Sequence, residues 1–160
     1  MYDWDKRTRT PSPWARGNGW VLMSIADTMQ GLKPGGPHYG ELKRIAEKLA
    51  RGLQATQDRD GLWHTVLDDH GTHAEASASL MFCYGLLKLA RLKVLRASCR
   101  EPALRAWKAV SERHVKDGLV TGVSAGTGPG NRAYYNARPL GAETWGTGAY
   151  LMAGSEVHRR

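Results

Sequence analysis

Between Ala76 and Leu89 the chain carries apolar side chains on nearly every face of a helical wheel: Ala76, Ala78, Leu80, Met81, Phe82, Cys83, Leu86, Leu87 and Leu89. A helix of that kind must be buried on most sides, so other elements have to cover it. The neighbouring periodic segments supply them. Residues 20–30 read as a helix that Gly31 stops, and 39–54 as one with a single stripe of Leu42, Ile45, Ala46, Leu49 and Leu53. Thr72 with Glu75 forms a capping-box pattern ahead of the apolar helix, which runs to about 93. A second such pattern, Ser98 with Glu101, opens a helix to about 114 striped by Leu104, Trp107, Val110 and His114. Residues 116–141 read as a long Gly-rich loop, and 143–158 as the last helix.

The order is thus buried, amphipathic, buried, amphipathic, buried. A short repeat supports it. Asp60-Gly61-Leu62 recurs as Asp117-Gly118-Leu119, each copy preceded by an amphipathic helix and followed by a loop and a buried helix. Such repeats indicate an array of helical hairpins. The expected fold is all-α: about five helices, inner ones facing a shared axis and outer ones facing water. The long loops all precede inner helices, so they gather at one end, where a binding site forms. Three inner and two outer helices make only about half of a closed ring. The sides left open predict an exposed apolar patch.

Ahead of the first helix stands Trp14-Ala15-Arg16-Gly17-Asn18-Gly19-Trp20. Glycines allow a tight turn and a close approach to a ligand. Arginine offers a fork of donors suited to a carboxylate. Indoles offer flat apolar faces for a sugar ring. The same residues equally suit two core anchors and a surface charge, since aromatics carry much of any core.

Composition narrows the classes. A chain of 160 residues with 41% apolar residues makes one domain or part of one. No apolar run approaches the roughly 20 residues of a membrane span. The first residues lack the basic-then-apolar pattern of a secretory signal. The two cysteines, Cys83 and Cys99, have no metal-ligand spacing and make no disulfide framework, which points to a reducing, cytoplasmic setting. The net charge of +8 favours anionic partners. Its residues are scattered over the polar sides of helices, and no nucleic-acid module is present. Asp68, Asp69, His70 and His73 match no standard metal spacing. The Gly126-x-Gly128-x-Gly130 run lacks the strand before it and the Lys-Ser/Thr after it that a phosphate loop needs.

Several motifs together resemble the C-terminal half of the unsaturated glucuronyl and rhamnogalacturonyl hydrolases, glycoside hydrolase families 88 and 105. In order they are Trp14 to Trp20; Asp60-Gly61-Leu62-Trp63; Glu75 to Ser79, leading to Tyr84-Gly85-Leu86-Leu87; Ser124-Ala125-Gly126-Thr127-Gly128; Tyr134-Tyr135 with Arg138-Pro139; and Trp145-Gly146-Thr147-Gly148-Ala149-Tyr150. The resemblance spans essentially the whole chain. It implies one partial domain over 1–160, the C-terminal half of an (α/α)6 barrel of six hairpins. It also implies a substrate, an unsaturated acidic oligosaccharide such as pectin breakdown leaves, with a C4=C5 double bond in its terminal uronic acid. The implied reaction is hydration of that vinyl ether, in which an aspartic acid protonates C4 and helps water add at C5. The hemiketal then opens and releases the next sugar, with no metal or organic cofactor.

The family's catalytic aspartate belongs upstream of the tryptophan-arginine motif, so the resemblance assigns no catalytic residue here. Asp3 and Asp5 fall in a stretch like the family's His-x-Trp-Asp, with Tyr2 at the histidine position. What carries over is binding: Arg16 for the uronate carboxylate, Trp20 for ring stacking, Asn18 as a hydrogen-bonding amide, with Trp14 beside them. Trp63 and His64, on a loop expected at the same end, complete the candidates. Two other readings stand beside this one. The chain is a non-catalytic module for anionic sugars, or a helical scaffold that meets a second copy or a separate N-terminal half through its exposed apolar faces.

Overall fold

The computed structural model describes residues 2–159; Met1 and Arg160, the ends of the expected domain, lie outside the described residues. A small antiparallel hairpin of β1 (Tyr2–Asp3) and β2 (Thr8–Arg9) opens the chain. The long helices are α1 (Ala15–Gly31), α2 (Tyr39–Thr56), α3 (Ala76–Arg91) and α4 (Arg100–Arg113), the last preceded by a 3₁₀ turn at Ala97–Cys99. Then come β3 (Val115–Lys116), β4 (Leu119–Val120), β5 (Val123–Ser124), the short α5 (Arg132–Asn136), β6 (Leu140–Gly141) and α6 (Thr144–Val157). Strand β3 pairs with β4 and β5 with β6, both antiparallel.

The all-round apolar helix sits where its composition requires. Every residue of α3 from Ala76 to Leu89 is buried. Helices α1 and α6 pack on its two sides and α4 behind it. Helix α2 packs on α1. Helices α1, α3 and α6 therefore form an inner layer, and α2 and α4 an outer one, as the alternation predicted, but only α3 is buried all round: α6, expected to be buried, has just Gly146, Ala149, Ala153 and Glu156 buried.

Glycines set how closely the inner helices approach. A Cβ on Gly85 of α3 would lie 2.7 Å from Leu22 Cγ on α1, and one on Gly19 would lie 2.9 Å from Met81 Cβ. This explains why α1 begins at Ala15 and not near residue 20. Gly17 and Gly19 read locally as loop punctuation, but here they are helical and give the room for tight packing. A Cβ on Gly17 would lie 2.8 Å from Trp14 Cε3.

Both capping boxes are corrected. Helix α3 starts at Ala76, and its cap is the Glu75 side chain, which accepts from Ala78 N at 2.6 Å. Thr72 instead turns its hydroxyl to Asp69 O at 2.7 Å, inside the loop. The Ser98 position is taken into the 3₁₀ turn, so α4 begins with no side-chain cap bond. The Gly-rich segment is more ordered than a loop. It holds β3, β4, β5, α5 and β6. The repeated Asp-Gly-Leu has one structural job. Gly61 (φ 90°) and Gly118 (φ 76°) both adopt the left-handed region that glycine takes at little cost, and each turns the chain back toward an inner helix.

The loops do converge on the N-terminal ends of the inner helices. Ala15 N donates to Thr65 O, Glu75 N to Trp63 O and Ala76 N to Gly122 O, each at 2.9 Å. The open sides of the half-ring are less apolar than expected. On α1 the exposed stripe is Trp20, Val21, Ser24, Asp27 and Thr28, and on α6 it is Thr144, Gly148, Leu151 and Ser155. Each mixes large apolar side chains with polar ones.

Candidate functional site

The loop end is built around one buried ion pair. Arg16, in the first turn of α1, is 4% exposed, and Glu75, the cap of α3, is fully buried. Their charges approach to 3.6 Å. A charge taken from water is tolerated only when its bonding capacity is met, and here it is. Arg16 Nη1 donates to Ser124 O at 2.6 Å and Ser124 Oγ at 2.7 Å. Its Nη2 donates to Ala125 O at 2.9 Å and Thr127 Oγ1 at 3.0 Å. Glu75 accepts from Ala78 N, from the Ser77 hydroxyl and, at 2.9 Å, from Ser124 N. The pair thus ties α1, α3 and the β5 strap together. The guanidinium carbon also lies 5.0 Å from the Trp14 ring centroid and 5.3 Å from that of Trp145 on α6, so all three inner helices meet at Arg16. Burial pulls its pKa below the ordinary arginine value; Glu75 and Glu143 oppose that, and Arg138 adds to it.

The six candidates from the sequence separate. Trp14, Arg16 and Asn18 come together. Trp14 is buried and stacks on Tyr135 at 5.8 Å with the rings 9° apart. Asn18 is half-buried and donates from Nδ2 to Trp14 O at 2.8 Å. Trp20 stands apart on the open stripe of α1, 48% exposed. Trp63 is not a loop contact facing solvent. It is fully buried, donates to Leu53 O at 2.9 Å and meets Phe82 edge-on at 5.2 Å. His64 is half-buried, with Nε2 3.1 Å from Asp58 Oδ2 and Nδ1 against Thr72 O. It stacks on His70 at 5.0 Å, and none of its contacts is with Arg16.

Four participants lay outside the candidates: Glu75, Ser124, Thr127 and Trp145. Their motifs were visible as ordered segments, but nothing local marks Glu75 as the partner of a residue 59 positions earlier. Beside them, Asp3, Lys6, Arg9, Asn131 and Tyr134 line a pocket of about 290 Å³ between the N-terminal hairpin and the segment before α5. Among the described residues no three His, Cys, Asp or Glu side chains converge to hold a metal ion. Among the described residues no helix is long and apolar enough to cross a membrane.

Alternating inner and outer helices, with loops gathered over the inner N-termini, define a helical-hairpin barrel of which this chain holds part. The chain belongs to Glycosyl Hydrolase Family 88, whose family model matches residues 2–160. It is 34% identical over 151 residues to an unsaturated 3S-rhamnoglycuronyl hydrolase of Formosa agariphila, covering 90% of this chain and 38% of that protein. It is 27% identical over 146 residues to an unsaturated rhamnogalacturonyl hydrolase of Bacillus subtilis, covering 90% and 41%. The crystal structure of a possible family 105 member from Salmonella enterica superposes with a TM-score of 0.92 at 28% identity, covering 98% of this chain and 42% of that one. The helices are therefore part of an (α/α)6 barrel. The chain spans less than half the length of these relatives.

Proposed function

We propose that this chain is one partial domain of a glycoside hydrolase acting on unsaturated uronyl or rhamnogalacturonyl ends, and that it supplies the part that holds the sugar. The observation that carries the reading is the Arg16–Glu75 pair, buried at the loop end and clamped by Ser124 and Thr127. It fixes Trp14 and Trp145 around the guanidinium at the start of α1, the helix whose open stripe carries Trp20. The relatives named for unsaturated glycuronyl substrates give the substrate class. The chemistry is vinyl-ether hydration. Protonation at C4 makes C5 electrophilic, water adds there, and the hemiketal collapses with loss of the next sugar. One carboxyl of tuned pKa serves as acid and then base. No aspartate of this chain matches that group, so chemistry requires the rest of the ring. The same upstream hairpins would cover the open stripes of α1 and α6. The free, buried thiols of Cys83 and Cys99 favour a cytoplasmic setting.

Titration of the chain with an unsaturated uronyl disaccharide, followed by heteronuclear NMR, tests this reading. Shifts confined to the N-terminal ends of α1, α3 and α6 are expected, with no loss of the C4=C5 ultraviolet absorbance. Absence of binding overturns the sugar-holding role. Sustained loss of absorbance overturns the claim that the acid lies elsewhere.

A further inference from the structure

The positive charge of the chain is scattered in sequence, but folding gathers part of it. A cavity of about 710 Å³ lies between α2 and the segment that joins α3 to α4. That volume falls within the roughly 300–1,000 Å³ of small-ligand sites. Helix α2 contributes Lys43, Glu47 and Arg51 to its lining, and the joining segment contributes Lys93 and Arg96. Glu47 is the only carboxylate there, and Lys43 Nζ lies 3.9 Å from its Oε1. Arg51, Lys93 and Arg96 are exposed and enter no ion pair among the described residues. Exposed lysines without an ion pair also stand elsewhere, at Lys33 and Lys116. Here three cations share one cavity.

The backbone holds Lys93 in place. It follows the end of α3 with φ 58°, in the left-handed region. Glycine is the usual residue at such a helix end, because a Cβ there crowds the following carbonyl oxygen. The next two residues fix the turn. Val94 N and Leu95 N donate to Leu89 O at 3.0 and 3.1 Å, and both side chains are buried. The chain thus carries a lysine at a position where glycine would relieve strain, and strain of this kind collects at functional sites. On the α2 side, Gln54 Nε2 donates to Cys99 Sγ at 3.9 Å, which ties α2 to the residue before α4. Burial raises the pKa of that thiol, while a backbone hydrogen bond and the charge of Arg96 oppose the rise. The Arg96 guanidinium therefore acts on the cavity wall.

The lining also narrows the ligand. No aromatic residue lines the cavity, so a nucleobase finds no face to stack on. With Lys43 beside Glu47, three positive charges are unmatched. A single carboxylate would leave two of them facing each other. A phosphate monoester carries about −1.5 to −2 at pH 7 and offers three acceptor oxygens, which suit an arginine fork.

We propose that this cavity binds a small phosphorylated ligand through Arg51, Lys93 and Arg96. None of its lining residues belongs to the Arg16–Glu75 network, and Lys93 lies past the far end of α3, about 24 Å from Glu75 along the helix. The inference therefore stands apart from the sugar-holding reading. The probe is inorganic pyrophosphate, with acetate at equal ionic strength as the control, on the whole 160-residue chain. In heteronuclear NMR, pyrophosphate should shift the amides of residues 92–99 and the Nε signals of Arg51 and Arg96, and acetate should not. In calorimetry, Lys93→Gly should weaken pyrophosphate binding by about fivefold, the loss of one exposed ion pair. The same variant should melt at a higher temperature than wild type when free, because glycine accepts the left-handed turn, so lost binding cannot be lost folding. Arg96→Gln should weaken binding to a similar extent. Lys116→Gln, an exposed charge outside the cavity, should leave it unchanged. Pyrophosphate shifts no larger than those from acetate overturn the inference. So does unchanged affinity in both Lys93→Gly and Arg96→Gln. An equal loss in Lys116→Gln also overturns it, since net charge alone would then attract the ion.

Discussion

The substitution Glu75→Gln isolates the charge at the centre of the loop end. Glutamine keeps the side-chain volume, so no cavity forms. It replaces one acceptor oxygen by a donor NH₂. That group must then face either Ala78 N–H, now 2.6 Å from Oε2, or Ser124 N–H, 2.9 Å from Oε1. One backbone donor is left unpaired in a site with no solvent, at a cost of about 1–3 kcal/mol. Arg16, 4% exposed, also loses its counter-charge at 3.6 Å. Its four neutral acceptors remain, which limits the loss. Removing one partner of a buried pair costs roughly 3–5 kcal/mol, and both effects together belong in that range. Against a total stability of about 5–15 kcal/mol, this is roughly a fifth or more. The expected signature is a lower urea midpoint at unchanged m-value, followed by circular dichroism, and a melting temperature lower by about 10 °C. A cycle with Arg16→Met should give a coupling of about 2 kcal/mol or more. A Glu75→Gln stability within about 0.5 kcal/mol of wild type would refute the account of the network as charge-held. Strict additivity in the cycle would refute the pairing.

Gly85→Ala should destabilise by about 1–3 kcal/mol despite alanine's better helix propensity, because the new methyl meets Leu22. Gly52→Ala on α2, where a Cβ meets nothing within 4 Å, should stabilise by up to about 1 kcal/mol, and urea melts that fail to separate the two would count against the close α1–α3 packing. Arg91 hydrogen bonds hold Glu156 below the ordinary glutamate pKa, outweighing its burial. A depressed folded value means this stability is present above the unfolded value and is lost as pH falls through the folded one. Glu156→Gln should therefore flatten the loss of stability below about pH 4.5, by about 1–3 kcal/mol, and a pH–stability curve parallel to wild type would contradict it. Burial pushes the Cys83 thiol up to about 12 and raises Cys99 as well. An aromatic disulfide reagent at pH 8 should label neither in the folded chain and both in urea; rapid labelling of folded Cys83 would show that α3 is not enclosed.

Much of the architecture was legible because it rests on local periodicity. The all-round apolar pattern of 76–89 dictates burial whatever covers it, and the single stripe of α2 dictates one wet side. The alternation follows from those two facts, and the hairpin repeat from a turn that needs glycine. What local reading could not see lies in contacts between distant residues. Thr72 and Ser98 each satisfy the pattern of a cap, yet the true cap of α3 is Glu75, chosen because its carboxylate also reaches Ser124 N, 49 residues on. Gly17 and Gly19 break helices by intrinsic propensity, yet they are helical, because Trp14 and Met81 fill the space where side chains would stand.

The same divide runs through the site. Residue type and spacing determined that Trp14 to Trp20 would lie at the loop end of a hairpin array, and that Arg16 suited an anion. Only the tertiary structure decided which anion. Folding puts Glu75 opposite Arg16 and wraps Ser124 to Thr127 around the guanidinium, which consumes its donors. It buries Trp14 and Trp63 and leaves Trp20 on the open face. A side chain's chemistry is a property of its sequence position, but whether its hydrogen-bonding capacity is spent inside or kept for a ligand depends on what the fold brings within about 3 Å.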